Sequence, residues 1–113
     1  MIIVAFADKT SKQLPRIICR KIKHVAPISV HNDKIIMYQF THSKNIQPIV
    51  LQMRDLQILQ KYGWRYVYIN GTLRNNFAKQ KAKTCVGFTK NAIGVHNWKI
   101  QTPYALYKYL MRL

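Results

Sequence analysis

Cys85 stands in Lys83-Thr84-Cys85-Val86-Gly87-Phe88-Thr89-Lys90, a run that reads as a helix entry with a thiol in its first turn. The N-terminus of a helix carries unsatisfied N–H groups and a partial positive charge, which favour thiolate over thiol. A nucleophile also needs a base, and His24 opens an apolar strand far upstream, His24-Val25-Ala26-Pro27-Ile28-Ser29-Val30. Imidazole titrates near neutrality and suits that task. The backbone N–H of Cys85 is then a natural donor to an oxyanion. Two other uses of Cys85 compete with this one: a small residue packing a helix onto a sheet, and a metal ligand.

A base needs a polar group to orient it, and hairpin register supplies the candidate. With Asn32-Asp33 as a two-residue turn, His31 pairs with Lys34, Ala26 stands opposite Gln39 and His24 opposite Thr41. Gln39 then shares a sheet face with His24 and lies diagonal to it, within reach of a long side chain. A three-residue turn shifts the register by one and brings His42 opposite His24, so His42 is the alternative third residue. His31, in the turn, is too far away to serve.

These residues depend on elements the sequence also marks. Ile2 to Ala7 is an apolar run suited to a buried strand, and Thr10 or Ser11 can cap a helix from Lys12. Leu14, Ile17, Ile18 and Ile22 fall on one face of that helix, with Lys12, Arg16, Arg20 and Lys23 on the other; Pro15 sits near its first turn, where a missing N–H costs least. The His24 strand and Ile35 to Phe40 form the hairpin, and Pro27 requires an edge strand or a position turned away from its neighbour. Pro48 to Met53 reads as a further strand, Asp55 as the cap of a short helix through Tyr62 that Gly63 ends, and Trp64 to Ile69 as a strong strand before an Asn70-Gly71 turn. Residues 72 to 83 form a basic loop into the Cys85 helix, which ends near Gly94. Thr102-Pro103 supplies the cap and first residue of a last helix.

The chain has 113 residues, with 19 Lys and Arg against three acids and a formal charge of +16. That length predicts one domain over residues 1–113 with a single modest core. The acids are Asp8, Asp33 and Asp55, which excludes chemistry by paired carboxylates. A hydrophobic content of 49% argues for a folded chain. The first residues lack a basic leader and no apolar run is long enough to span a membrane, so a cytosolic or virion-associated product is expected, with Cys19 and Cys85 as free thiols. No C-x-x-C or H-x-x-x-H spacing, glycine-rich phosphate loop or G-x-S-x-G elbow occurs, so no metal and no cofactor is called for. The charge attracts polyanions. Arg16, Arg20, Arg74, Lys79, Lys81 and Lys83 are the candidate contacts for nucleic acid or another anionic polymer, with Tyr66, Trp98 or Tyr104 as stacking partners.

The order of these motifs resembles the circularly permuted branch of the NlpC-type papain-like thiol hydrolases, which includes proteins similar to lecithin-retinol acyltransferase. The first strand, the Leu14 to Ile22 helix and "KHVAPISV" look like the family's strand, helix and base-bearing strand. "KTCVGFTKNAIGV" looks like its nucleophile helix and "IQTPYALYKYL" like its closing helix. The resemblance covers nearly the whole chain. It departs in Thr84 and Val86 beside the thiol, in the missing Gly-Asp before the first strand, and in an uncharged Gln39 at the third position. It implies an α+β papain-like fold, an antiparallel sheet packed against the nucleophile helix after an N-terminal strand and helix. The implied activity is thiol-dependent cleavage or transfer at an amide or ester bond of a peptide or acyl substrate, with Cys85 as nucleophile, His24 as base and Gln39 orienting it. The rival expectation is a non-catalytic basic module of the same fold.

Overall fold

The computed structural model describes residues 1–7, 24–40, 45–74, 77 and 82–113. The expected helix with Arg16, Cys19 and Arg20, and the positions of His42, Lys79 and Lys81, lie outside the described residues. Among the described residues the chain is α+β, with five strands in one antiparallel sheet and three helices.

The strands are β1 (Ile2–Ala7), β2 (His24–His31), β3 (Lys34–Phe40), β4 (Ile46–Leu51) and β5 (Arg65–Ile69), in the spatial order β4-β3-β2-β1-β5. The unbroken apolar run of β1 is explained by its place. It pairs with β2 on one side and β5 on the other, and all six of its residues are buried. Side chains alternate, so Ile2, Val4 and Phe6 enter one apolar cluster while Ile3 and Ala5 enter a second on the opposite face.

The β2–β3 hairpin has the two-residue turn read from Asn32-Asp33. Both residues have positive φ, 47° and 66°, and His31 pairs with Lys34. A primed turn of this kind matches the right-handed twist of the strands, and Asn and Asp tolerate it better than most residues. The ladder runs through Val30↔Ile35 and Ser29↔Ile36 to Ile28↔Met37 and ends one residue short of Pro27. β2 is thus an interior strand, but Pro27 lies beyond its ladder with β3, the second of the two arrangements a proline allows there, while the pairing with β1 continues through Val4↔Pro27.

Several boundaries differ from the sequence expectation; β5 starts at Arg65 rather than Trp64 and β3 at Lys34 rather than Ile35. β4 covers Ile46–Leu51 rather than Pro48 to Met53, with Pro48 on the sheet edge, where its missing N–H is harmless. Helix α1 (Met53–Lys61) is capped from Gln52, and Asp55 is its third residue, whose Oδ2 accepts from the Gln52 N–H at 2.7 Å. A carboxylate three residues into a helix satisfies the cap N–H and opposes the positive end of the helix dipole.

Helix α1 lies on the second cluster through Leu56, beside Ile28, Ile35 and Met37. Tyr66 of β5 ties it down, its hydroxyl donating to the Leu56 carbonyl at 2.8 Å. Burial, with a contribution from Tyr68, raises the Tyr66 phenol from 10.0 to about 12. Its folded value exceeds its unfolded one, so its contribution to stability is complete below pH 10 and is lost as pH rises towards 12. In urea unfolding at pH 9 to 11, the wild type should lose more stability with rising pH than Tyr66→Phe does.

Helices α2 (Cys85–Ile93) and α3 (Pro103–Met111) cover the first cluster. Thr102 caps α3, its Oγ1 accepting from the Ala105 N–H, and Pro103 follows at the first helical position. Leu106 and Leu110 are buried from this helix, and the Tyr107 ring meets Phe6 edge-on at 5.2 Å.

Candidate active site

Cys85 is the first residue of α2. Thr84 caps the helix in extended conformation, its Oγ1 accepting from the Gly87 N–H at 3.0 Å and its carbonyl from the Phe88 N–H at 3.0 Å. The half-buried sulfur is a thiol, outside any disulfide, and it packs against the first cluster, which contains Val25 and Val86. The helix closes at Gly94 with φ 81°, and a Cβ there would meet the guanidinium of Arg74. Arg74 also donates its backbone N–H to the Ala92 carbonyl at 2.8 Å. A cation at a helix C-terminus is favourable, so Arg74, expected among the polyanion contacts, has a structural task at the far end of α2. Lys83 is exposed, directly before the cap.

His24 is the first residue of β2, half-buried, and its Nε2 lies 2.6 Å from Gln39 Oε1. With that carbonyl oxygen accepting, the ring proton sits on Nε2, and Nδ1 is the basic nitrogen of the neutral ring. Gln39 is itself oriented, its Nε2 donating to Met37 Sδ at 3.0 Å. The Trp64 ring meets the imidazole edge-on at 6.1 Å. Gln39 thus contacts His24 as the two-residue turn requires; His42 lies outside the described residues.

The relation of Cys85 to this pair follows from the sheet. Helix α2 packs over β2 and β3, and Phe88, one turn beyond Cys85, stacks on Phe40 at 5.7 Å. Phe40 follows Gln39, so the start of α2 and the His24–Gln39 pair share one end of the sheet. They differ in face. Alternation along β2 and β3 groups His24 and Gln39 with Ala26, Ile28 and Met37 on the α1 side, whereas α2 covers the side of Val25 and Phe40.

Three features of this region were not visible in the sequence reading. Trp64 reads as the start of a strand but lies one residue before β5, and its place beside His24 comes from the pairing of β5 with β1. Phe77 packs on both Tyr38 and Phe88, building an aromatic layer under the first turns of α2. Thr89, one turn after Cys85, is fully buried and its Oγ1 has no hydrogen-bond partner among the described residues, an arrangement that costs about 1–3 kcal/mol. The Cys85 and Thr89 spacing of four is the one sequence signal that places them on the same helix face.

No group of three or more His, Cys, Asp or Glu suited to hold a metal occurs among the described residues. No helix among them is long and apolar enough to cross a membrane. Comparison with protein-family models, with curated proteins and with solved structures gave no match.

Proposed function

We propose that this chain is a papain-like thiol hydrolase or acyltransferase of the permuted NlpC type, acting on an amide or ester bond. Cys85 attacks the carbonyl carbon, His24 takes the thiol proton and returns it to the leaving group, and Gln39 holds the imidazole. The observation that carries the reading is the 2.6 Å contact of Gln39 Oε1 with His24 Nε2 at the sheet end where α2 begins. In this reading Nε2 engages the orienting group and Nδ1 acts as the proton acceptor.

In the first step the sulfur bonds to the carbonyl carbon and the carbonyl π electrons move to oxygen, towards which the Cys85 N–H would donate. Collapse expels the protonated amine or alcohol and leaves an acyl-thioester. Water or a second nucleophile, deprotonated by the same imidazole, then releases the acyl group. Because His24 belongs to the face opposite α2, the proton passes at the shared end of the sheet, around the start of β2, from Sγ to a water molecule while that water gives its own proton to Nδ1.

The test is acyl-enzyme formation. A p-nitrophenyl ester should add its acyl mass to the peptide containing Cys85, and Cys85→Ser should lose the thioester adduct together with steady-state hydrolysis. Hydrolysis that persists unchanged in Cys85→Ser would remove Cys85 as the nucleophile, and a wild-type rate no faster than the uncatalysed ester, with no adduct on Cys85, would leave the fold as a non-catalytic module.

A further inference from the structure

We infer that the loop between α2 and α3 is a stacking platform for single-stranded nucleic acid, with Trp98 as the surface on which a base lies and Lys99 as its phosphate contact. Trp98 is 74% exposed, unusual for so large an apolar ring. The loop that carries it is braced. Lys90 Nζ donates to the carbonyls of Asn97 at 2.7 Å and Ile100 at 2.9 Å, and the Ile100 N–H donates to the Asn97 carbonyl at 3.2 Å. The Asn97 side chain accepts from the Lys99 N–H at 3.0 Å, and the Gln101 amide donates to the Trp98 carbonyl. Ile100, buried, anchors the loop to the first cluster. Such bracing fixes the loop backbone that carries the indole, so little of the backbone's ordering entropy remains to be lost when a planar ligand stacks on it.

The ligand class follows from the surroundings. Lys99 Nζ stands 5.8 Å from the indole centre, and the whole chain carries +16. Lys99 lies over one face of the indole, so a base would stack on the other face of this 74% exposed ring with its phosphate near the ammonium, and a duplex hides its base faces by pairing and stacking. The exposed residues flanking Trp98 are His96, Asn97, Lys99 and Gln101. None is aliphatic, which favours a nucleic acid over a lipid surface, where inserted loops bury aliphatic side chains beside the indole. The other two aromatics named from sequence are placed differently: Tyr66 bonds to Leu56, and Tyr104 packs against the first cluster.

Anisotropy titrations with fluorescein-labelled oligothymidylate and oligouridylate test this. Trp98→Ala should bind about tenfold more weakly with an unchanged salt slope, and Trp98→Phe should keep most of the affinity. Lys99→Gln should reduce the slope of log affinity against log salt by about 0.7. In a Trp64→Phe background, where Trp98 is the sole indole, its emission should be quenched by the oligonucleotide. Wild-type affinity in Trp98→Ala, absence of quenching, equal affinity for a duplex, or binding only to vesicles containing phosphatidylserine would each overturn the inference.

Discussion

His24→Ala is expected to lower Cys85-dependent ester hydrolysis about 10²- to 10⁴-fold near neutral pH, the usual contribution of a positioned general base. The acid limb of the pH–rate profile should flatten as well, because that limb reports the imidazole. Gln39→Ala keeps the ring but removes the oxygen that accepts from Nε2 at 2.6 Å, so its effect should be smaller, on the order of tenfold. Gln39→Glu, which still accepts, should restore most of the rate. The series separates a base from a packing residue, since a merely structural His24 would lose stability in all three variants without this graded pattern. Because α2 and His24 belong to opposite sheet faces, a Cys85 adduct that forms at the wild-type rate in His24→Ala would mean that the thiol acts without this imidazole.

The part of the site legible in the sequence is the part set by local rules. The turn at Asn32-Asp33 follows from two residue types that tolerate positive φ, and once it is fixed, the meeting of His24 and Gln39 is arithmetic along two strands. The cap of α3 is equally local, and Thr84 at α2 follows the same rule although it is not named from sequence, since Thr84 and Thr102 each satisfy an N–H three residues ahead. What local rules do not carry is which sheet face a helix covers. The apolar pattern of α2 gives it a buried side, Val86, Phe88, Thr89 and Ala92, but both faces of this sheet are apolar, and pattern alone does not choose between them. Cys85 and His24 could therefore be assigned to their elements from sequence, while their relation across the sheet depended on long-range packing. Arg74 shows the same limit from the side of charge. A basic residue in a basic stretch reads as a polyanion contact until the chain's path brings it to Gly94.

The same packing predicts the largest loss of stability. Phe6→Ala should cost about 3–5 kcal/mol, the range for removing a fully buried phenyl ring. Phe6 is 0% exposed, lies on the strand paired on both sides, and points into the cluster that β1 shares with α2 and α3. Its edge-to-face contact with Tyr107 at 5.2 Å and 79° adds a directional term of about 0.5–1.5 kcal/mol beyond burial. Tyr107→Leu, which keeps apolar bulk and loses only the ring contact, should therefore cost about 1 kcal/mol. Urea unfolding with an unchanged m-value is the measurement, because it separates lost packing from a change in the denatured state. A domain of this size has about 5–15 kcal/mol in all, so Phe6→Ala should bring the folded state near its margin at ordinary temperature. The start of α2 rests on the same cluster through Cys85 and Val86, so the cavity should also loosen the thiol's seat. Sub-denaturing urea should then raise Cys85 alkylation in Phe6→Ala well before global unfolding, and a Phe6→Ala cost below about 1.5 kcal/mol would show that β1 and α3 are not held by this core.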